Sequence, residues 1–238
     1  TLNGGSSTNY TGGTDAVDLG AGNDTLNISG NSGFDTVDGG TGSDTLVGGE
    51  DSQTGGIDTV SYASSGAAVQ VDLSATVANT GGDAAGDELV LIRNLIGSAW
   101  ADTLRGNNED NLLDGGVGVF SDSLFGGAGN DTLLGGDGND LLVGGLGADS
   151  LDGGAGLLDI ASYATATAGV TVDLTLAVLG ASDANNEGAG DVLTGIEKVI
   201  GTSKSDTFFA KVAGSTLQFD GGSDAVGAAD LLTNTVSF

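Results

Sequence analysis

Four residue types are missing from this chain: cysteine, proline, methionine and histidine do not occur. Without cysteine there is no disulfide, no zinc-thiolate site and no thiol chemistry. Without histidine there is no Ser-His-Asp relay and no imidazole-bound metal. Basic residues are scarce, 5 against 33 acidic ones, which leaves a formal charge of -28. A polyanion of this kind repels nucleic acid and anionic membrane surfaces and opposes its own compaction. No stretch is long and apolar enough to span a bilayer, and the first residues do not read as a signal peptide. They run Thr1-Leu2-Asn3-Gly4-Gly5, like the tail of one repeat entering the next, so a fragment of a longer protein is expected.

Glycine, by contrast, is abundant: 46 of 238 residues, about one in five against a usual ~7%. The hydrophobic fraction of 38% is too high for plain disorder, and Leu and Val recur at regular intervals. Strong negative charge with regular apolar spacing describes a chain that folds when cations arrive. In a protein without disulfides, metal ions are the usual alternative staple.

Repetition is the dominant pattern. From Gly126 the chain reads GGAGNDTLL, GGDGNDLLV and GGLGADSLD without a gap, then the imperfect GGAGLLDIA from Gly153. The first three fit G-G-x-G-x-D-x-U-x, with U a large apolar residue. Asp122, Asp131, Asp140 and Asp149 fall nine residues apart, and Leu124, Leu133, Leu142 and Leu151 keep the same step. A broken run near the start includes LGAGNDTLN (19–27) and GGTGSDTLV (39–47), with a stretched copy around Asp35 between them. Degenerate copies place Asp102, Asn111 and Asp206 at the aspartate position.

A longer duplication overlies the short one. VSYASSGAAVQVDL (60–73) matches ASYATATAGVTVDL (161–174) at a displacement of 101 residues, and GDELVLIRNLIGSAWADTL from Gly86 matches GDVLTGIEKVIGTSKSDTF from Gly190 at 104. The strings VQVDL and VTVDL alternate as half-buried strands do. Helical signals are confined to short acidic loops near Asp83 and Asn185. The resulting division is an imperfect repeat block over 1–58, a β spacer over 59–101, a central repeat block over 102–158, and a second spacer with degenerate repeats over 159–238.

Each nonapeptide divides into a turn, G-G-x-G-x-D, and a short strand, x-U-x. Glycine suits the turn because tight turns need positive φ. The strand points U inward, and successive U residues stack into a narrow core. If two nonapeptides make one coil, residues 18 apart lie over each other: Asp122 over Asp140, Asp131 over Asp149. Carboxylates stacked at about one strand spacing, ~4.8 Å, repel each other unless a cation lies between them. Calcium suits this donor set, since it takes 6–8 oxygen ligands, backbone carbonyls included. An all-oxygen set argues against zinc or copper.

These tandem nonapeptides resemble the RTX (repeats-in-toxin) family, whose members are typically exported by type I secretion and fold in external calcium. The resemblance implies an all-β fold of calcium-stabilised parallel β-roll blocks separated by irregular β spacer segments. It further implies several Ca²⁺ ions held by turn carbonyls and the Asp carboxylate. Carried onto this chain, the ligands are Gly126, Gly127, Ala128, Gly129 and Asp131; Gly135, Gly136, Asp137, Gly138 and Asp140; and Gly144, Gly145, Leu146, Gly147 and Asp149. Asp122 and Asp102, and in the first block Asp24, Asp35, Gly39, Gly40, Gly42 and Asp44, complete the candidate set. Departures from the pattern are Leu19 for a first glycine, Asn111 for an aspartate, and the insertions before Asp35, Asp58 and Asp159. The segments G-D-x-L…I-x-x-x-I-G-[ST] also resemble spacers of large bacterial surface proteins.

Other residues carry less. Asp15 and Asp224 read as solvated turn residues. Trp100, Phe120, Phe125, Tyr62 and Tyr163 read as core filling or capping in preference to a sugar-stacking surface. Arg93, Arg105, Lys198, Lys204 and Lys211 read as surface charge. Ser203-Lys204 has no catalytic context, and calcium already explains the paired carboxylates that a glycosidase would need. The chain is therefore expected to be non-catalytic and extracellular, at a bacterial cell surface, with calcium and other copies of itself or neighbouring domains as partners. Two roles fit: a structural module of a surface-layer or adhesin-like protein, or the calcium-triggered secretion and folding module of an exoenzyme or toxin.

Overall fold

The computed structural model describes residues 8–9, 16–28, 33–49, 58–173, 188, 190–209, 218–221 and 235–237. Asp15, Asn185, Lys211 and Asp224 lie outside them. The first block forms β1 (Thr8–Asn9), β2 (Ala16–Asp18), β3 (Thr25–Asn27), β4 (Thr36–Asp38) and β5 (Thr45–Val47). The first spacer forms β6 (Thr59–Ser61), β7 (Gln70–Asp72), β8 (Glu88–Val90) and β9 (Asn94–Ile96). The central block forms β10 (Thr103–Arg105), β11 (Leu112–Asp114), β12 (Ser123–Ala128), β13 (Thr132–Leu134), β14 (Leu141–Leu146) and β15 (Ser150–Asp152). The second spacer and its sequel form β16 (Ile160–Ser162), β17 (Thr171–Asp173), β18 (Val192–Thr194), β19 (Lys198–Ile200), β20 (Thr207–Phe209), β21 (Gln218–Asp220) and β22 (Thr235–Ser237). The only helical element among the described residues is a 3₁₀ turn at Gly82–Ala84, beside Asp83.

All the strand pairs are parallel, and within the repeat blocks consecutive strands alternate between two facing sheets. The nonapeptide causes this directly. Its x-U-x strand buries one large side chain, even where β12 and β14 run on into the turn to six residues, and each turn sends the chain back across the core. The middle residues Leu104, Leu113, Leu124, Leu133 and Leu142 are fully buried, while their strand neighbours are half-buried. Leu124 lies in register with Leu142 and Leu133 with Leu151, the expected 18-residue coil. Elsewhere the coil takes 20 residues: Val17 pairs with Val37, Leu26 with Leu46, Leu104 with Leu124 and Leu113 with Leu133. The extra residues go into turns. In 115–122 they leave Val117 and Val119 87% and 75% exposed without disturbing the leucine column.

The spacers perform the same operation twice. In the first, β6 pairs with β9 and keeps the eight-stranded sheet running; β8 pairs with β5 and ends the four-stranded sheet; β7 pairs with β10 and begins the seven-stranded sheet. In the second, β16 pairs with β19 and continues the seven-stranded sheet; β18 pairs with β15 and ends the eight-stranded one; β17 pairs with β20 and begins a new three-stranded one. Each spacer thus replaces one sheet and leaves the facing sheet intact.

Tyr62 and Tyr163 fill the core at the two changeovers, 1% and 3% exposed, as expected. Trp100 and Phe120 do not fill the core. Their rings stack with centroids 5.3 Å apart and both remain close to half exposed, because each sits in a turn and not on a strand. Arg105 lies over the Phe125 ring at 4.0 Å from its centroid.

Candidate metal site

The turns form columns along the edges of the roll. Turns 106–111, 126–131 and 144–149 stack in one column, turns 97–102, 115–122, 135–140 and 153–159 in another, and turns 19–24 and 39–44 in the first block. Their closeness explains the glycines. At Gly136 φ is +99°, and a Cβ would stand 2.6 Å from the Gly116 carbonyl oxygen of the layer beneath. Gly135 has a different reason: a Cβ there would meet Oδ2 of Asp140 at 2.5 Å. The first glycine leaves room for its own repeat's carboxylate, and the second permits backbone to lie against backbone.

The aspartate that ends each of these turns (Asn111 in 106–111) is buried and linked to the next layer, whereas Asp110 and Asp137 within the turns are exposed. Oδ1 of Asp140 accepts the Asp122 N–H at 2.8 Å, and Oδ1 of Asp149 accepts the Asp131 N–H at 2.8 Å, the 18-residue stacking expected from the repeat. The ladders extend beyond the regular repeats. Asp131 Oδ1 accepts Asn111 N–H at 2.8 Å, Asp122 Oδ1 accepts Asp102 N–H at 2.7 Å, and Asp159 Oδ1 accepts Asp140 N–H at 2.8 Å. In the first block Asp44 Oδ1 accepts the Asp24 N–H at 2.8 Å. Asp35 is buried one turn away, and its carbonyl accepts the Thr59 N–H at 2.8 Å.

The second carboxylate oxygen is the telling one. Oδ2 of Asp44, Asp131, Asp140, Asp149 and Asp159 is buried with no hydrogen-bond donor. A bare anionic oxygen out of water is costly, by several kcal/mol on typical scales. Burial first, then neighbouring carboxylates, pushes the Asp44, Asp149 and Asp159 carboxyls up to about 6 and Asp122 up to about 7. Asp131 rises to about 6 for the same reasons, and burial also raises Asp140. No cation among the described residues pairs with them: the one ion pair there is Lys198–Asp220, at 3.2 Å. Nor do three acidic side chains converge on one point among those residues. A metal here must draw most of its ligands from backbone carbonyls, which suits a hard cation of high coordination number and excludes a carboxylate-only cage.

The model of the RTX calcium-binding nonapeptide repeat matches four stretches of the chain: residues 11–26, 27–52, 94–119 and 125–156. These four stretches are RTX calcium-binding nonapeptide repeats. No curated protein matches it. RTX repeats bind Ca²⁺, so this chain is a calcium-binding module that takes several ions. The donor set fits that ion: inward aspartate oxygens without donors, and glycine turns whose carbonyls approach one another unobstructed. Calcium held here would supply the positive charge that lets these carboxylates stay ionised while buried.

Sequence reasoning overlooked one pair of RTX spacer residues. Asp87 and Asp191 take the ladder position below Asp44 and Asp149, accepting their N–H groups on Oδ1 at 2.9 Å each. Their Oδ2 atoms accept the Tyr62 and Tyr163 hydroxyls, at 3.0 and 2.8 Å. The signal was present in the duplication, where a tyrosine and a Gly-Asp recur together in both copies. Asp102 also differs from the rest of the candidate set. It stands in the ladder, but Ser98 N–H donates to its Oδ2 at 2.5 Å and Val69 N–H to its Oδ1 at 2.7 Å.

Proposed function

We propose that this chain is a non-catalytic structural module of a secreted bacterial cell-surface protein, surface-layer or adhesin-like, in which calcium drives folding and assembly. The observation that carries the reading is the sheet changeover at the spacers. A module built only to fold on export has no need of an element that renews one sheet while preserving the other. An element of that kind suits a protein extended by repetition. The proposed ligands are the turn carbonyls of 126–129, 135–138 and 144–147 with the carboxylates of Asp131, Asp140 and Asp149, and the equivalent atoms of the first block.

Calcium titrated into metal-free protein, followed by circular dichroism and light scattering together, tests the proposal. β signal that strengthens as particle mass grows supports it. β signal at constant monomer mass favours the secretion and folding module of an exoenzyme, and no response overturns the reading of calcium-driven folding.

A further inference from the structure

We propose that turns 97–102, 106–111 and 201–206 are closed by their own side chains and take no calcium, so that ions occupy runs of glycine turns bounded by metal-free ones. This rests on the calcium reading above and adds which layers refuse the ion.

The distinction lies in the second residue of the turn. In the calcium-type turns it is Gly127, Gly136 or Gly145; in these three it is Ser98, Asn107 or Thr202. The substitution brings a polar side chain to the place where the carboxylate of a glycine turn is bare. Ser98 Oγ lies 2.8 and 2.9 Å from the two oxygens of Asp102, and Ser98 N–H donates to Oδ2. Thr202 repeats the arrangement: its N–H donates to Asp206 Oδ2 at 3.0 Å and its Oγ1–H to Oδ1 at 2.9 Å. In the third turn the acid itself is replaced. Asn111 Oδ1 accepts Asn107 N–H at 2.8 Å, and its Nδ2 donates to the Arg93 carbonyl of the layer beneath at 2.8 Å.

A second difference accompanies the first. The side-chain oxygen of the second residue accepts the N–H of the fourth: Trp100 N–H to Ser98 at 3.1 Å, Glu109 N–H to Asn107 at 2.8 Å, and Lys204 N–H to Thr202 at 2.8 Å. In the glycine turns the same N–H reaches the next layer, as from Gly129 to Leu146 O at 2.9 Å and from Gly138 to Ala155 O at 3.0 Å. In the three closed turns, hydrogen-bond donors therefore point at the atoms a cation would need. Binding there would break two or more internal hydrogen bonds per turn, and at Asn111 it would set a cation against an amide donor with no carboxylate in compensation. Closed turns come late in or after each spacer, two at the first and one at the second, so each sheet changeover is followed by layers that need no metal.

The test is a crystal structure of the full chain grown in calcium, with the ions located by their anomalous signal. The expected result is calcium in turns 126–131, 135–140 and 144–149, and none within ~2.6 Å of Asp102, Asn111 or Asp206 side-chain oxygens. Calcium in the glycine turns together with an ion on any of those three overturns this proposal alone. Absence of calcium from every turn overturns the calcium reading with it. In solution, calcium counted by native mass spectrometry should be unchanged in folded Asp206→Asn and reduced in Asp140→Asn. An equal fall in both variants also overturns the proposal.

Discussion

Replacing Asp131 by asparagine should stabilise the calcium-free protein and destabilise the calcium-bound one. The substitution keeps the Oδ1 that accepts the Asn111 N–H and exchanges the buried, donor-less Oδ2 for a neutral amide. Without metal at pH 7.5 the wild-type carboxylate is ionised against burial that has raised it from 3.8 to about 6. That shift corresponds to at most about 3 kcal/mol, and solvent reaching the turn reduces it to on the order of 1–3 kcal/mol, which the asparagine recovers. With calcium at about 100 times its Kd, loss of one site removes ~2.7 kcal/mol. Urea unfolding followed by circular dichroism, run in chelator and in saturating calcium, should give midpoint shifts of opposite sign. Shifts of the same sign would refute the reasoning, since Asp131 would then be no more than an acceptor in the ladder.

Acid should replace calcium in part. Burial raises the carboxyls of Asp44, Asp122, Asp131, Asp149 and Asp159 to about 6 to 7, from an ordinary 3.8. A raised carboxyl favours the folded state when protonated, so its contribution is full below about 3.8 and is lost as pH rises through 6 to 7. Melting in chelator should therefore occur at higher temperature at pH 5 than at pH 7.5, and calcium affinity should fall over the same interval as protons compete; a metal-free melt independent of pH would contradict both. Gly136→Ala should lower the calcium-saturated melting temperature, by ~1 kcal/mol for the positive φ alone and more for the contact with Gly116 O, whereas Gly66→Ala, with nothing within 4 Å of its Cβ, should leave it unchanged. Tyr163→Phe removes the buried bond to Asp191 and should cost ~1–3 kcal/mol with or without calcium, a loss that chemical denaturation in both conditions would reveal.

The regular core was legible in the sequence because its cause is local. Leu124, Leu133, Leu142 and Leu151 hold one phase to Asp122, Asp131, Asp140 and Asp149, and that phase is the coil. The 20-residue coils around Leu26 and Leu104 were not legible, since the turns absorb extra residues without moving the buried one. The duplicated spacers could be seen as a duplication, but not as a change of sheet: pairings such as Val60 with Leu95 and Val71 with Leu104 join segments that share no repeat phase. Aspartates at the repeat position also looked alike. What separates Asp102 from Asp131 is the residue four positions earlier, Ser98 against Gly127, whose hydrogen bonds decide whether the carboxylate oxygen is bare.

The sheet changeovers have a mechanical consequence. They work as lap joints: where one ladder of interlayer bonds stops and another starts, the facing ladder runs through unbroken. A pull along the stack therefore meets, among the described strands, no level at which both ladders end together. Further lengths of repeat can be joined in the same way, each splice shifting the overlap to the opposite face.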